Sequence, residues 1–308
     1  MSEPAPSWDL YLAFLAVMRE GSLSAASRAL NVAQPTVRRQ IEALEEALGV
    51  VLFTRAPNGL VPTELARATL PYAESMAATA KALVRSVSGP AGEERGTVRV
   101  TTSEIVGAEL MPEILVSLAR AHPQVQIELA LSNRNQDLLR READVAVRMV
   151  APTQAALLAK RACAIPLGLF ATAGYLRARP APSRLEQLRE HVLIGSDRDR
   201  GVIEALAAAG LHTTPRDFAL RTDSDLAALA ALRAGLGIGV CQVPLAERSP
   251  ELRRVLPSLG FELEAWVVMH EDLRHVRRVR AVFDHLVTQL AAYGGRASRP
   301  RRSKLTRP

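Results

Sequence analysis

The chain has 308 residues, 48% of them hydrophobic and only 4% aromatic. That length suits about two or three domains with aliphatic, alanine-rich cores. No apolar run of about 18 residues is present, which excludes a membrane-spanning helix. The start, Met1 to Asp9, lacks the basic and apolar regions of a signal peptide, so a cytoplasmic protein is expected. The net charge of +7 is concentrated at one end. Residues 294–308 carry six basic side chains and no acid, whereas residues 1–90 carry eight of each sign. Bulk charge therefore says little about nucleic acid. The tail from 293 onward is expected to be disordered, either a solubilising end or a weak extra attraction to phosphate. Two cysteines, Cys163 and Cys241, lie far apart in apolar runs, and buried inert thiols are expected in a cytosolic chain.

Ser7 is placed to cap a first helix, Trp8 to about Glu20, with Leu10, Phe14, Val17 and Met18 inward. Gly21 stops it. Ser22 or Ser24 can cap a second helix, since a hydroxyl accepts from an orphan N–H. Ala25, Ala26 and Ala29 leave room for close packing. Asn31 ends that helix, being tolerant of a left-handed conformation, and Val32 is expected to turn back to the core. A third helix starts near Gln34, with Pro35 in its first turn, where a missing N–H costs nothing. Val37, Ile41, Leu44 and Leu48 then form one buried stripe. Pro35, Arg39 and Glu42 point the other way, with Arg38 beside them. This is a helix-turn-helix, whose second helix can lie in the DNA major groove. Gln34 suits adenine, Arg38 or Arg39 suits guanine, and the Thr36 methyl suits thymine. Such shapes also serve as plain packing units. Gly49 closes the helix. Leu52 to Arg55 and Leu60-Val61 read as two short strands around a Pro57-Asn58-Gly59 turn, a small wing.

Residues 25 to 55, from Ala-Ala-Ser-Arg-Ala-Leu-Asn-Val through Leu-Gly-Val-Val-Leu-Phe-Thr-Arg, resemble the signature of LysR-type transcriptional regulators. The match continues through Leu60-Val61-Pro62-Thr63-Glu64. Three departures stand out. Ala33 replaces a usual Ser or Thr cap, at a cost of about 1 kcal/mol. Arg38 stands where the family often has Ser, and Leu65-Ala66 replaces Ala-Gly. The resemblance implies that Arg55 reaches phosphate or the adjacent minor groove; a surface salt bridge is the plainer reading. The DNA-contact set expected on these grounds is Ser24, Gln34, Pro35, Thr36, Arg38, Arg39, Arg55 and Asn58.

Thr63 caps a long helix to about Val87. Leu65, Tyr72, Met76, Leu83 and Val87 recur at roughly heptad spacing, and Pro71 should bend the helix. Such a stripe needs a partner, either its own domain or, as the resemblance implies, the same helix of a second subunit. Ser88 to Gly92 reads as a hinge. From Gly96 strands and helices alternate, which argues for parallel sheets. Val98 and Val100 lie in a first strand, and Ile114, Leu115 and Leu118 in a helix ending before Pro123. Val125, Ile127, Leu129 and Leu131 alternate in a second strand, and residues 143–147 form a third. Several strands are expected between Leu157 and Ala171, with a second lobe opening near Leu167. That lobe takes in Val192-Leu193-Ile194, Phe218-Ala219-Leu220 and a helix capped by Asp223 or Ser224, with Leu226, Leu229 and Leu232 on it. Gly235-Leu236-Gly237-Ile238-Gly239 then leads into a buried strand. Trp266-Val267-Val268 and a last helix, His275 to about Ala292, return to the first lobe.

No catalytic constellation is present. The Gly235 run lacks dinucleotide spacing, and His270, Glu271 and His275 miss the metalloprotease spacing by one residue. No cofactor or metal is called for. Open α/β sheets bind ligands beyond the carboxyl ends of their strands. Here those ends offer Thr101, Thr102, Ser103, Arg148, Met149, Ser196, Thr222 and Ser224. Helix starts at Ser103 and Ser224 favour an anion, while Glu104 and Asp223 argue against one. The expected organisation is an α/β chain: a winged helix-turn-helix (1–64), a dimerising linker helix and hinge (65–92), a two-lobed, periplasmic-binding-protein-like effector domain (93–292) and a basic tail (293–308). The partners implied are double-stranded promoter DNA, a small-molecule effector, further copies of the chain as dimer or tetramer, and RNA polymerase, with no membrane. A cargo-carrying solute-binding protein and an α/β enzyme are the rivals. The first is opposed by the front 90 residues and the lack of an export signal, the second by the lack of catalytic groups.

Overall fold

The computed structural model describes residues 5–56, 59–133, 142–152, 154, 156–197 and 200–296. Contacts divide the chain into two compact units, in the main residues up to Val84 and residues from Arg85 onward.

The first unit opens with α1 (Trp8–Glu20), α2 (Leu23–Leu30) and α3 (Gln34–Leu48). Ser7 precedes α1 without a side-chain cap bond, whereas Ser22 caps α2 by accepting from the Ala25 N–H at 3.2 Å. Ser24 is no cap; its carbonyl accepts from the Ser27 hydroxyl. Gly21, Asn31 and Gly49 all take the left-handed conformation that ends a helix. Phe14, Val17, Ala26, Val37, Ile41 and Leu44 are buried in one core. Two expected core residues are not. Val32 is 40% exposed, because the left-handed turn at Asn31 carries it outward. Leu48 is 39% exposed, because it is the last residue of α3 and lies past the packed stripe. Strands β1 (Phe53–Ala56) and β2 (Gly59–Pro62) pair antiparallel as the wing. Thr63 caps α4 (Glu64–Ser86), which runs on through Pro71.

The second unit is built on one seven-stranded sheet: β3 (Gly96–Thr102), β4 (Val125–Leu131), β5 (Val145–Arg148), β6 (Leu157–Thr172), β9 (Gly239–Gln242), β10 (Leu252–Val255) and β11 (Phe261–His270). A pair, β7 (Ile194–Ser196) and β8 (Leu220–Thr222), lies apart. The sheet is mixed, not parallel throughout: β3 runs parallel to β4 and β5, while β11 is antiparallel to both β5 and β6. The several short strands expected over 157–171 are one sixteen-residue strand. Its first part pairs with β11, and its end lies between β9 and β10, so a single backbone serves both lobes. Strand β4 is the sheet edge, so its apolar positions are only half covered and Leu131 is exposed.

Helix α5 (Met111–Ala121), preceded by a π-helical stretch Val106–Leu110, and α10 (Arg277–Arg296) cover the first lobe's core of Val98, Val100, Ile114, Val267, Phe283 and Leu286. Helix α10 continues past Ala292, and Tyr293 is core, its hydroxyl donating to Gln242 at 2.7 Å. The second lobe carries α6 (Ala173–Ala178), α7 (Gly201–Ala208), α8 (Asp225–Arg233) and α9 (Val243–Ala246). Gly235 has a φ of 82°, and a Cβ at Gly237 would collide with the Val192 carbonyl, so this glycine run is the turn that lets Leu193 and Ile238 pair. Cys241 is buried, which pushes its thiol up to about 11; Cys163 is half-buried and its thiol is raised for the same reason.

Residues 88–92, expected as a hinge, are held to the second unit. Arg278 donates to the carbonyls of Arg85, Ser86 and Gly89, and Arg277 to that of Gly92. Arg85 pairs with Asp144 at 3.1 Å in a buried setting, and the same carboxylate accepts the Arg99 N–H at 2.8 Å.

Candidate nucleic-acid interface and effector cleft

The apolar stripe of α3 faces α1 and α2, so its opposite face meets solvent. Gln34, Pro35, Arg38 and Arg39 are exposed and Thr36 half-exposed. Among the described residues, none of their side chains has a hydrogen-bond or ion-pair partner. Ala33, where the cap is missing, makes no side-chain bond, and Pro35 removes one orphan donor instead. Ser24 is exposed at the start of α2. Arg55 is exposed on β1 and has no salt bridge among the described residues; Asn58 lies outside them. One contact was not legible in the sequence. Glu45, on the inner side of α3, accepts the Leu52 and Phe53 N–H groups at 2.6 and 3.0 Å and so fixes the wing to the helix.

The residues expected around the cleft do not all behave alike. Thr101, Thr102 and Arg148 are buried at the ends of β3 and β5, and Arg148 donates to the Thr101 hydroxyl at 3.2 Å. The Thr102 hydroxyl donates to the Ser103 carbonyl. Met149 is half-buried on the first-lobe core. Ser196 and Thr222 are register partners on β7 and β8. Ser224 caps α8 and also donates to Glu104 at 2.9 Å. The Glu104 carboxylate further accepts the Leu226 N–H at 3.4 Å, and the Glu104 N–H donates to Asn133. Asn133 in turn donates to Asp225. The anion preference expected at the Ser224 helix start is thus met by the chain's own Glu104 carboxylate. Arg233 and Glu109 add a two-pronged ion pair at 2.7 and 2.8 Å, which lowers the Glu109 carboxyl below its ordinary range.

Two family models match the chain. Residues 8–67 fit the bacterial regulatory helix-turn-helix protein, lysR family, and residues 91–291 fit the LysR substrate binding domain. The chain belongs to the LysR family. It is a DNA-binding transcriptional regulator with an effector-binding domain, as the resemblance in residues 25 to 64 implies. An HTH-type transcriptional regulator of Xanthomonas campestris is 27% identical over 91% of this chain and 84% of its own length. A probable RuBisCO transcriptional regulator of Thalassiosira pseudonana is 31% identical, over 44% of this chain and only 45% of that protein. Among solved structures, the LysR-family regulator CbnR superposes with a TM-score of 0.68 at 20% identity, covering 92% of this chain and 99% of CbnR. The Vibrio cholerae virulence activator AphB gives 0.60 at 20% identity over 91% and 98%. At that identity the structural likeness speaks for the fold alone. A cavity of about 470 Å³ lies outside the expected cleft, lined by Glu94, His122 and the first turns of α10.

Proposed function

We propose that this regulator reads promoter DNA through the N-terminal end of α3. Gln34, Thr36, Arg38 and Arg39 would meet base edges, Pro35 and Ser24 the backbone beside them, and the wing, through Arg55 and Asn58, phosphate or the adjacent minor groove. The observation that carries this reading is the α3 face itself: two arginines and a glutamine stand exposed without internal partners. The structure of full-length CbnR with its target DNA, at a TM-score of 0.66, is consistent with that use of the fold. Two copies would join through the exposed stripe of α4, presenting two recognition helices to half-sites about 10 bp apart or a multiple of that. A small-molecule effector would sit among Thr101, Thr102, Ser103, Arg148, Met149, Ser196, Thr222 and Ser224. It would act by binding two arrangements of the dimer or tetramer with different affinity. Because Glu104 already occupies the start of α8, an effector entering there must displace it or donate to it. RNA polymerase is a further proposed partner, the cytoplasm the proposed location and regulation, without catalysis, the proposed activity. No helix among the described residues is long and apolar enough to cross a membrane. Selecting bound fragments from genomic DNA and footprinting them tests the reading. Protected half-sites at one helical spacing are expected; a protein that retains no duplex at low salt would refute it.

A further inference from the structure

The second unit holds a solvent-open groove of about 470 Å³ between the end of α5 and the first turns of α10. Arg274, Arg277, Arg280, His122, His275 and His285 line it, against the acids Glu94 and Asp284. The start of α10 carries arginines and no acid in its first turn. Cations at that end of a helix oppose its dipole, so their presence asks for a reason. Arg278 has one, since it ties down the residues after α4. Arg277 also donates to the Gly92 carbonyl and Arg280 pairs with Asp284, but each keeps about half or more of its side chain exposed, and both line the groove. The local acids are already shared out: Glu271 pairs with Arg274 at 2.8 Å, and Arg274 also donates to the His275 ring. Asp284 pairs with Arg280 at 2.7 Å, and Glu94 meets His122 at 2.9 Å while reaching Arg277 only at 4.0 Å. The two imidazoles of His122 and His285 stand edge to face, 6.0 Å apart. With neutral histidines the lining carries three positive and two negative side chains, and each histidine protonated adds one more.

We propose that this groove binds a small, multiply charged oxyanion, held by Arg274, Arg277 and Arg280, which takes His122 and Arg277 from Glu94. A phosphorylated and a polycarboxylic metabolite share that chemistry. Glu94 and the Arg277 contacts to Ala91 and Gly92 lie in the segment that follows α4, so an occupant bears directly on that segment. The site is separate from the interlobe cleft and needs neither DNA nor the cleft effector. Burial and the neighbouring His122 hold the His285 ring below its ordinary pKa. An anion beside that ring favours its charged form over the neutral one. Affinity therefore falls as pH rises through the range in which this imidazole loses its proton.

Calorimetry on the full chain without DNA tests this, with inorganic pyrophosphate and citrate as probes. About one saturable site per chain is expected. Pyrophosphate alone binding would assign the phosphorylated class, citrate alone the polycarboxylic, and both recognition by charge. Arg277→Gln and Arg280→Gln should each weaken binding by about tenfold or more. Glu94→Gln should tighten it, an effect that damage to the fold would not produce. Arg216→Gln, at an exposed arginine outside the groove, should change nothing. Absence of saturable binding, or weakening by Arg216→Gln equal to that by Arg277→Gln, would overturn the proposal.

Discussion

Arg39 shows how far one side chain can be argued. Its neighbours on the stripe, Val37 and Ile41, are buried, so helical geometry turns Arg39 outward. Nothing internal holds it, so replacing it removes no structural contact. Arg39→Ala should leave the melting temperature within experimental scatter. If the side chain reads a base, operator affinity should drop by about 1–3 kcal/mol, with relaxed selectivity at one position. Gel shifts on a set of single-base operator variants check both. Glu45 is the opposite case. The sequence marks it only as one of two adjacent acids on a helix; its use becomes visible once the chain has turned at Gly49 and brought the Leu52 and Phe53 N–H groups onto it. A carboxylate that serves backbone seven residues away leaves no periodic trace.

At the scale of elements, α4 and the α8 start carry the testable consequences. Tyr72, Leu83, Val84 and Val87 are each more than 60% exposed on or just after one helix, a run of apolar surface too dense for a helix left in water. Tyr72→Glu with Leu83→Glu should shift the full chain toward monomer in sedimentation velocity and weaken its binding to paired half-sites far more than to a single one. An unchanged oligomer would remove α4 from the proposed interface. The Glu109–Arg233 pair couples the π-helical stretch to α8. The hydrogen bonds from Arg233 hold the Glu109 carboxyl below its ordinary value. The folded state therefore binds its proton less readily than the unfolded one, and the pair stabilises fully above the ordinary carboxylate range. That contribution is lost as pH falls through the lowered value. The stability gap between wild type and Glu109→Gln, measured by denaturant titration, should be widest near neutrality and close on acidification. Both charges remain partly exposed, so the gap should be modest.

For the whole molecule, the division falls between Val84 and Arg85, inside the long helix and ahead of the glycine-rich segment. The reason is a pair of buried arginines: Arg85 on Asp144, and Arg278 on the carbonyls that end α4. Removing one partner of a buried ion pair strands the other. Asp144→Ala should cost about 3–5 kcal/mol in the second unit and expose residues 85–95 to limited proteolysis. Full protection of that segment in the variant would show that Arg278 alone suffices. The sequence by itself determined the helix-turn-helix, its outward arginines, the cap at Thr63 and the alternation of strands and helices. All of these follow from local periodicity and short-range hydrogen bonding, which a single stretch of chain contains. The structure chose Ser22 over Ser24 as the cap of α2. Only the tertiary structure decided that one strand, β6, serves both lobes, that Glu104 fills the start of α8, and that Glu94, His122 and α10 enclose a cationic groove. Those depend on pairings across many tens of residues, where side chains of opposite charge meet for reasons of position and not of spacing.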